Sequence, residues 1–322
     1  YLKGFLNTKN ISSYQIDLGI EVILEIFSKK GVTEIFNVKP KNLSENAHRI
    51  FALREEYIKT IDEVIAFLQN KKPTLARQIC SMNFLPEASR FNQLDDMEYA
   101  FGNMGLQDKA KHLATLYLED LSDYIIENID ENFGFSRYAE RLGRSANSFD
   151  ELYQKLQSDK TFVDNFTVEI LDKKLLETQP KLVCFSVPFP GNLYSAFRCA
   201  QYIKNHYPNI KTAFGGGFAN TELRDLKDKR VFEFFDFITL DDGELPIELL
   251  FENICHFEQS EESLFKRTFL LENGEVVYKN NSERHDYKQA EIGTPDYTDL
   301  PLDQYISVIE IANPMHSLWS DG

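Results

Sequence analysis

The sequence predicts an α/β protein: a doubly wound parallel sheet interrupted by a large all-helical insertion and followed by a C-terminal β-hairpin and linker. Three observations carry this. Over residues 166–258, short continuous apolar runs alternate with helical stretches, the pattern of parallel strands buried on both faces and the helices that connect them. From 41 to 165 the apolar spacing is helical throughout. Around Asn273-Gly274, the run RTFLLENGEVVYKN alternates apolar and polar residues across a two-residue turn, as a hairpin does.

The elements follow in order. Residues 1–40 form the first part of the α/β domain: Ser13 to Asp17 (SYQID) reads as a short strand, and residues 18–30 as a helix with Leu18, Val22 and Ile26 on one face, closed by Gly31. In the insertion (41–165), Asn42 and Glu45 make a capping box, and Ala47, Ile50, Phe51, Ile58, Ile61, Ile65 and Leu68 form one apolar stripe that Pro73 ends. Further helices are expected over 86–101, 107–128 and 149–157, the last N-capped by Ser148. The second part of the α/β domain (166–258) opens with a helix to 178 and continues as strand 181–187 (KLVCFSV), helix 192–206 and strand 211–214 (KTAF). A glycine turn, a broken helical stretch to Phe235, strand 236–240 (DFITL) and helix 245–256 complete it. Residues 259–285 hold the hairpin, and 286–322, marked by Pro295 and Pro301, form a linker in which 305–313 reads as one more strand.

The chain has 322 residues, 43% apolar and 27% charged, a balance that supports a sizeable core. Its 35 basic and 51 acidic side chains leave a net charge of −16, which argues against a surface built for nucleic acid or anionic membrane. No apolar run approaches the ~20 residues that span a bilayer, and no signal peptide opens the chain at Tyr1, so it reads as a cytoplasmic piece of a longer protein. Cys80, Cys184, Cys199 and Cys255 fit no CxxC, zinc or iron–sulfur spacing and read as buried, reduced thiols. The six histidines form no HExxH or HxH pair, and neither a metal site nor a catalytic constellation is expected.

In an open parallel sheet, ligands bind at the C-terminal ends of the strands. Three loops lie there: Ser186 to Asn192 after the first buried strand, Gly215 to Asn220 after the second, and Asp241-Asp242-Gly243-Glu244 after the third. Ser186, Asn192, Gly215, Gly216, Asn220 and Gly243 are the candidate binding residues, since small residues admit a ligand to the backbone and the polar ones hydrogen-bond it. Each loop reads equally as simple turn-making. The triple glycine is not a dinucleotide fingerprint, because Asn220 stands where GxGxxG needs its last glycine, and it lacks the GK[ST] of a P-loop.

The stretches LVCFSVPFPGNLYSAFRCAQYIKNHYPNIKTAFGGGFANTE and FFDFITLDDGELPIELL resemble the cobalamin-binding, flavodoxin-like domain of B12-dependent radical SAM enzymes. Ser186 matches the family's first loop, Gly215 and Gly216 its second, Gly243-Glu244 its third, and Asp236 the Asp before its last strand. DLGIEVILEIF (17–27) resembles its second strand–helix unit, and LPLDQYI (300–306) the linker into the barrel. Asp241-Asp242 stands in place of Gly-Glu, and the DxHxxG and CxxxCxxC motifs are absent. The resemblance implies a flavodoxin-like sheet that positions cobalamin or a substrate beside the protein's own radical SAM barrel, which this chain does not contain. In such an enzyme, of methyltransferase type, the 4Fe–4S cluster and S-adenosylmethionine belong to that absent domain. The alternative is a cofactor-free scaffold, or a substrate- or partner-binding module of the same fold.

Overall fold

A computed structural model describes residues 1–40, 44–81, 83–96, 105–134, 138–144, 149–255 and 263–309. Helices α1 (Leu2–Thr8), α2 (Leu18–Ile26), α3 (Lys29–Asn37), α4 (Glu45–Ala52), α5 (Arg54–Leu68), α6 (Ala76–Ile79), α7 (Gly105–Asn128), α8 (Glu140–Arg144), α9 (Asp150–Gln157) and α10 (Phe162–Thr178) precede the first strand. Then come β1 (Leu182–Ser186), α11 (Leu193–His206), β2 (Lys211–Gly215), α12 (Gly217–Glu222), β3 (Phe237–Thr239), α13 (Glu244–Cys255), β4 (Thr268–Glu272) and β5 (Glu275–Lys279). The chain divides into two compact units, one of Tyr1–Leu18 with Ser136–Leu300, the other of Gly19–Phe135 with Pro301–Gly322.

The first unit is α/β. Its sheet has the order β1-β2-β3-β4-β5. β1, β2 and β3 are parallel, with Cys184 beside Ala213 and Phe214 beside Ile238. The hairpin does not stand apart from this sheet: β4 joins β3 antiparallel, placing Phe269 beside Ile238, so the expected parallel sheet is mixed. Asn273 and Gly274, at φ 50° and 80°, make the hairpin turn where the sequence put it. Strand alternation sends Val183 and Phe185 to one face, where they meet Leu171, Leu175, Cys199 and Ile203 of α10 and α11. The aromatic part of that core is Phe197, Phe214, Phe234 and Phe235, with rings 5.0–6.1 Å apart. On the other face, Leu182 and Phe237 pack on Ala213, Leu250 of α13, Phe265 and Leu270.

β1 is not buried on both faces as its apolar run suggests. It is an edge strand, with Cys184 and Ser186 exposed. Of the four cysteines only Cys199 is buried; Cys80 and Cys255 are intermediate. Residues 13–17 form no strand. Residues 11–17 have no regular secondary structure and alternate between half-buried and exposed.

The second unit is helical, and no strand occurs among its described residues. The expected single helix 18–30 is two, because Ser28 ends α2 and caps α3: its Oγ accepts from Gly31 N at 3.0 Å, so Gly31 lies inside a helix rather than closing one. The apolar stripe of 47–68 likewise runs across two helices that meet at Leu53. The cap at its start is Ser44, accepting from Ala47 N at 3.1 Å; Asn42 lies outside the described residues, as does Ser148. Ser89–Asp96 is a 3-10 helix where an α-helix over 86–101 was expected, and residues 97–101 lie outside the described residues. α7 confirms the 107–128 reading and is the central helix, with Leu113, Tyr117, Leu121 and Ile125 buried. Residues 305–309 form no strand, and 310–313 lie outside the described residues. No described helix is long and apolar enough to cross a membrane.

Candidate functional site

The three candidate loops do lie together at the C-terminal edge of β1, β2 and β3, and they are bonded to one another. Ser186 ends β1 directly beside Gly215, which ends β2. The first loop then locks onto the glycine turn: Val187 N donates to Gly215 O at 2.8 Å, and Phe218 N donates to Val187 O at 3.0 Å. The turn locks onto the third loop in the same way. Asn220 Oδ1 accepts from Asp241 N at 2.6 Å, and Arg224 pairs with the Asp241 carboxylate.

The glycines explain this closeness. Gly216 has φ +102°, and a Cβ there would stand 2.8 Å from both N and O of Val187. At Gly217 a Cβ would meet Pro188 O at 2.8 Å, and at Gly215 the Thr239 hydroxyl at 2.9 Å. Gly243 faces α1, with Leu2 Cδ2 3.3 Å from its Cβ position. On the far side of the first loop, Gly143 of α8 lets Pro190 O come close to where a Cβ would be. The space that small residues open at this edge is filled by the protein's own backbone and by the side chains of Thr239 and Leu2.

Charge at the edge is also balanced internally. Asp241, at φ 59°, begins the third turn, and Arg267 reaches it from the start of the hairpin. The Arg267 guanidinium donates to Leu240 O at 3.3 Å and Asp242 O at 3.0 Å, and grips Asp286 through two bonds of 2.8 and 2.7 Å. That grip holds the Asp286 carboxyl below the usual carboxylate range. Asp236 sits at the opposite end of β3. It accepts from Lys204 Nζ at 2.6 Å and Thr212 N at 2.8 Å, a tie between α11, β2 and β3. No group of three His, Cys, Asp or Glu that could hold a metal occurs among the described residues.

In the second and third loops, Gly217, Asp241 and Asp242 face solvent. Ser186, Pro188 and Asn192 are exposed, and Phe189 projects with 69% of its surface accessible. Asn192 stands immediately before α11 without capping it through its side chain. Sequence reasoning did not single out Phe189, Arg224, Arg267 or Leu2. Phe189 lies between two prolines in PFP, which stiffen the loop by fixing φ on both sides of it, and that was the available signal. A cavity of about 430 Å3 lies elsewhere, in the helical unit, lined by Arg49, Leu53, Glu56, Asn83, Phe84 and Glu87 among others.

The residues at the sheet edge do not fit the cradle that a cofactor tail needs. The backbone approach offered at Gly216 is taken by Val187, and no buried side-chain polar atom without a partner lies in these loops among the described residues. Compared with protein-family models, with curated proteins and with solved structures, the chain matches none.

Proposed function

We propose that the α/β unit is a cofactor-free docking module of flavodoxin-like type, presenting its first strand-end loop to a polypeptide partner. The observation that carries this is Phe189, a large apolar side chain held out in solvent on a loop whose backbone is bonded to the glycine turn behind it. A rigid loop with an exposed aromatic tip loses little conformational freedom on association, which is the character of an interface anchor. The resemblance names the partner as a radical SAM barrel of the same polypeptide, in a cytoplasmic enzyme of methyltransferase type. That barrel holds the iron–sulfur cluster and S-adenosylmethionine, and this unit positions it or its substrate.

A second reading, in which the same edge holds cobalamin, rests on the parallel order β1-β2-β3 alone and requires the loops that fill this edge to part. One experiment separates them. The chain is mixed with hydroxocobalamin, desalted, and examined for corrin absorption. Docking without cofactor predicts a colourless protein. A stoichiometric corrin spectrum replaces it with the cobalamin reading, in which Ser186, Asn192, Gly215, Gly216, Asn220 and Gly243 line the groove.

A further inference from the structure

The helical unit holds a second recognition element, independent of the sheet-edge loops. After Pro301 the chain makes one 3-10 turn, Leu302–Gln304, and then leaves it at Tyr305 in extended geometry to cross the C-terminal end of α5 and reach α7. It is held through its backbone. Gln69 Nε2 donates to Gln304 O at 2.9 Å, Ser307 N donates to Leu68 O at 2.9 Å, and Ile309 N donates to Thr115 Oγ1 at 3.1 Å. Ile309 O lies 3.1 Å from His112 Nδ1, which donates to it. Lys111 Nζ reaches Ser307 Oγ at 3.2 Å, and Lys71 pairs with Asp303 at 3.1 Å.

Two features make this a built groove. Thr115 and His112 are 2% and 4% exposed, and beside Lys111 on α7 they direct two buried polar side chains at the N–H and the C=O of one residue, Ile309. A buried polar group costs free energy unless it is bonded, so such groups mark a position where a bonding partner is expected. Leu68 O belongs to the last turn of α5, where carbonyls have no partner within the helix, and Ser307 supplies one. The recognised backbone groups at Ser307 and Ile309 alternate with a period of two, as along an added strand, and Lys111 and Lys71 add contacts to the Ser307 and Asp303 side chains.

We propose that the α5–α7 face is a receptor groove for a peptide segment held through its backbone, and that Gln304–Ile309 occupies it as an intramolecular ligand. The inference goes beyond the docking role of the α/β unit and does not depend on it.

The test uses a labelled peptide of residues 301–309 (PLDQYISVI) and the full chain, wild type and Ser307→Pro. Proline at 307 removes the N–H that Leu68 O accepts and leaves α5 and α7 unaltered. Tethering holds the native segment at an effective concentration of roughly millimolar, so the groove should bind the peptide at least ~10-fold more tightly in Ser307→Pro than in wild type. Adding Thr115→Val to the released chain should weaken peptide binding about 2–10-fold, the worth of one hydrogen bond. In the otherwise native chain, Thr115→Val should speed hydrogen exchange at the Ile309 amide by a similar factor and leave the Leu121 amide unchanged. Equal peptide binding by wild type and Ser307→Pro overturns the proposal, as does no binding by a Ser307→Pro chain of native helical content. If that variant loses its helices, the Ile309 amide decides, and unchanged exchange in Thr115→Val overturns the proposal.

Discussion

At Gly216 one missing methyl group sets the geometry of the whole sheet edge. Its φ of +102° and the Val187 backbone 2.8 Å from its Cβ position act together, so Gly216→Ala meets both backbone strain and a clash. The strain alone costs about 1–2 kcal/mol. Gly274→Ala has the same sign of φ but nothing within 4 Å, and isolates that cost. Urea denaturation should show Gly216→Ala as clearly the more destabilising of the two. Equal losses would mean that the loops part without resistance. Asp120 is the corresponding residue of the helical unit. It is fully buried and accepts from Ala88 N at 3.0 Å and Arg90 N at 3.1 Å. Burial nevertheless dominates and pushes its carboxyl up to about 6. A carboxyl raised in the folded state binds its proton more tightly there than in the unfolded chain. Its contribution to stability is therefore greatest at or below about pH 4 and falls as pH rises through about 6. Unfolding free energies of wild type and Asp120→Asn, measured from pH 4 to 7, should differ in slope over that window and run parallel above it.

Among the elements, periodicity was legible and pairing was not. The helical readings of 107–128 and 192–206 and the strand reading of 211–214 agree with the structure within two residues, because each rests on local spacing. SYQID also has a strand's alternation, and residues 11–17 keep it in their burial. A strand exists only beside another, however, and the outer edge of β1 has no ladder partner among the described residues. The division between α2 and α3 was hidden for a related reason: the apolar stripe runs through it, and only the Ser28 hydroxyl marks the break. Ser28→Ala should cost about 1 kcal/mol by loss of that cap. A melting temperature indistinguishable from wild type would show that packing alone divides the two helices. The candidate loops follow the same logic. That something approaches Gly215 to Gly217 closely was readable in the sequence, whereas the identity of the approaching group, Val187-Pro188, depends on the register between β1 and β2.

For the molecule as a whole, a net charge of −16 is a uniform stress on compactness. The Debye length shortens from about 30 Å at 0.01 M salt to about 8 Å at 0.15 M, so screening should relieve that stress. The melting temperature should rise by about 2–4 °C over this range, equivalent to roughly 1 kcal/mol. A fall would show that the ion pairs outweigh the net repulsion.

The chain's threading also has a consequence in time. The α/β unit takes its first helix from residues 1–18 and everything else from beyond 136. α1 is anchored late in the sequence: Lys9 pairs with Glu248 at 3.3 Å, and the Phe5 ring meets that of Tyr287 at 4.9 Å in a tilted arrangement. On a ribosome adding about 5–20 residues per second, α1 therefore emerges roughly 10–50 s before its partners exist. The helical unit is synthesised in that interval, lacking only its strap, which comes last. Vectorial synthesis thus places the two units in different positions. The helical one can collapse while the opening helix of the α/β unit still waits for the residues on which it packs.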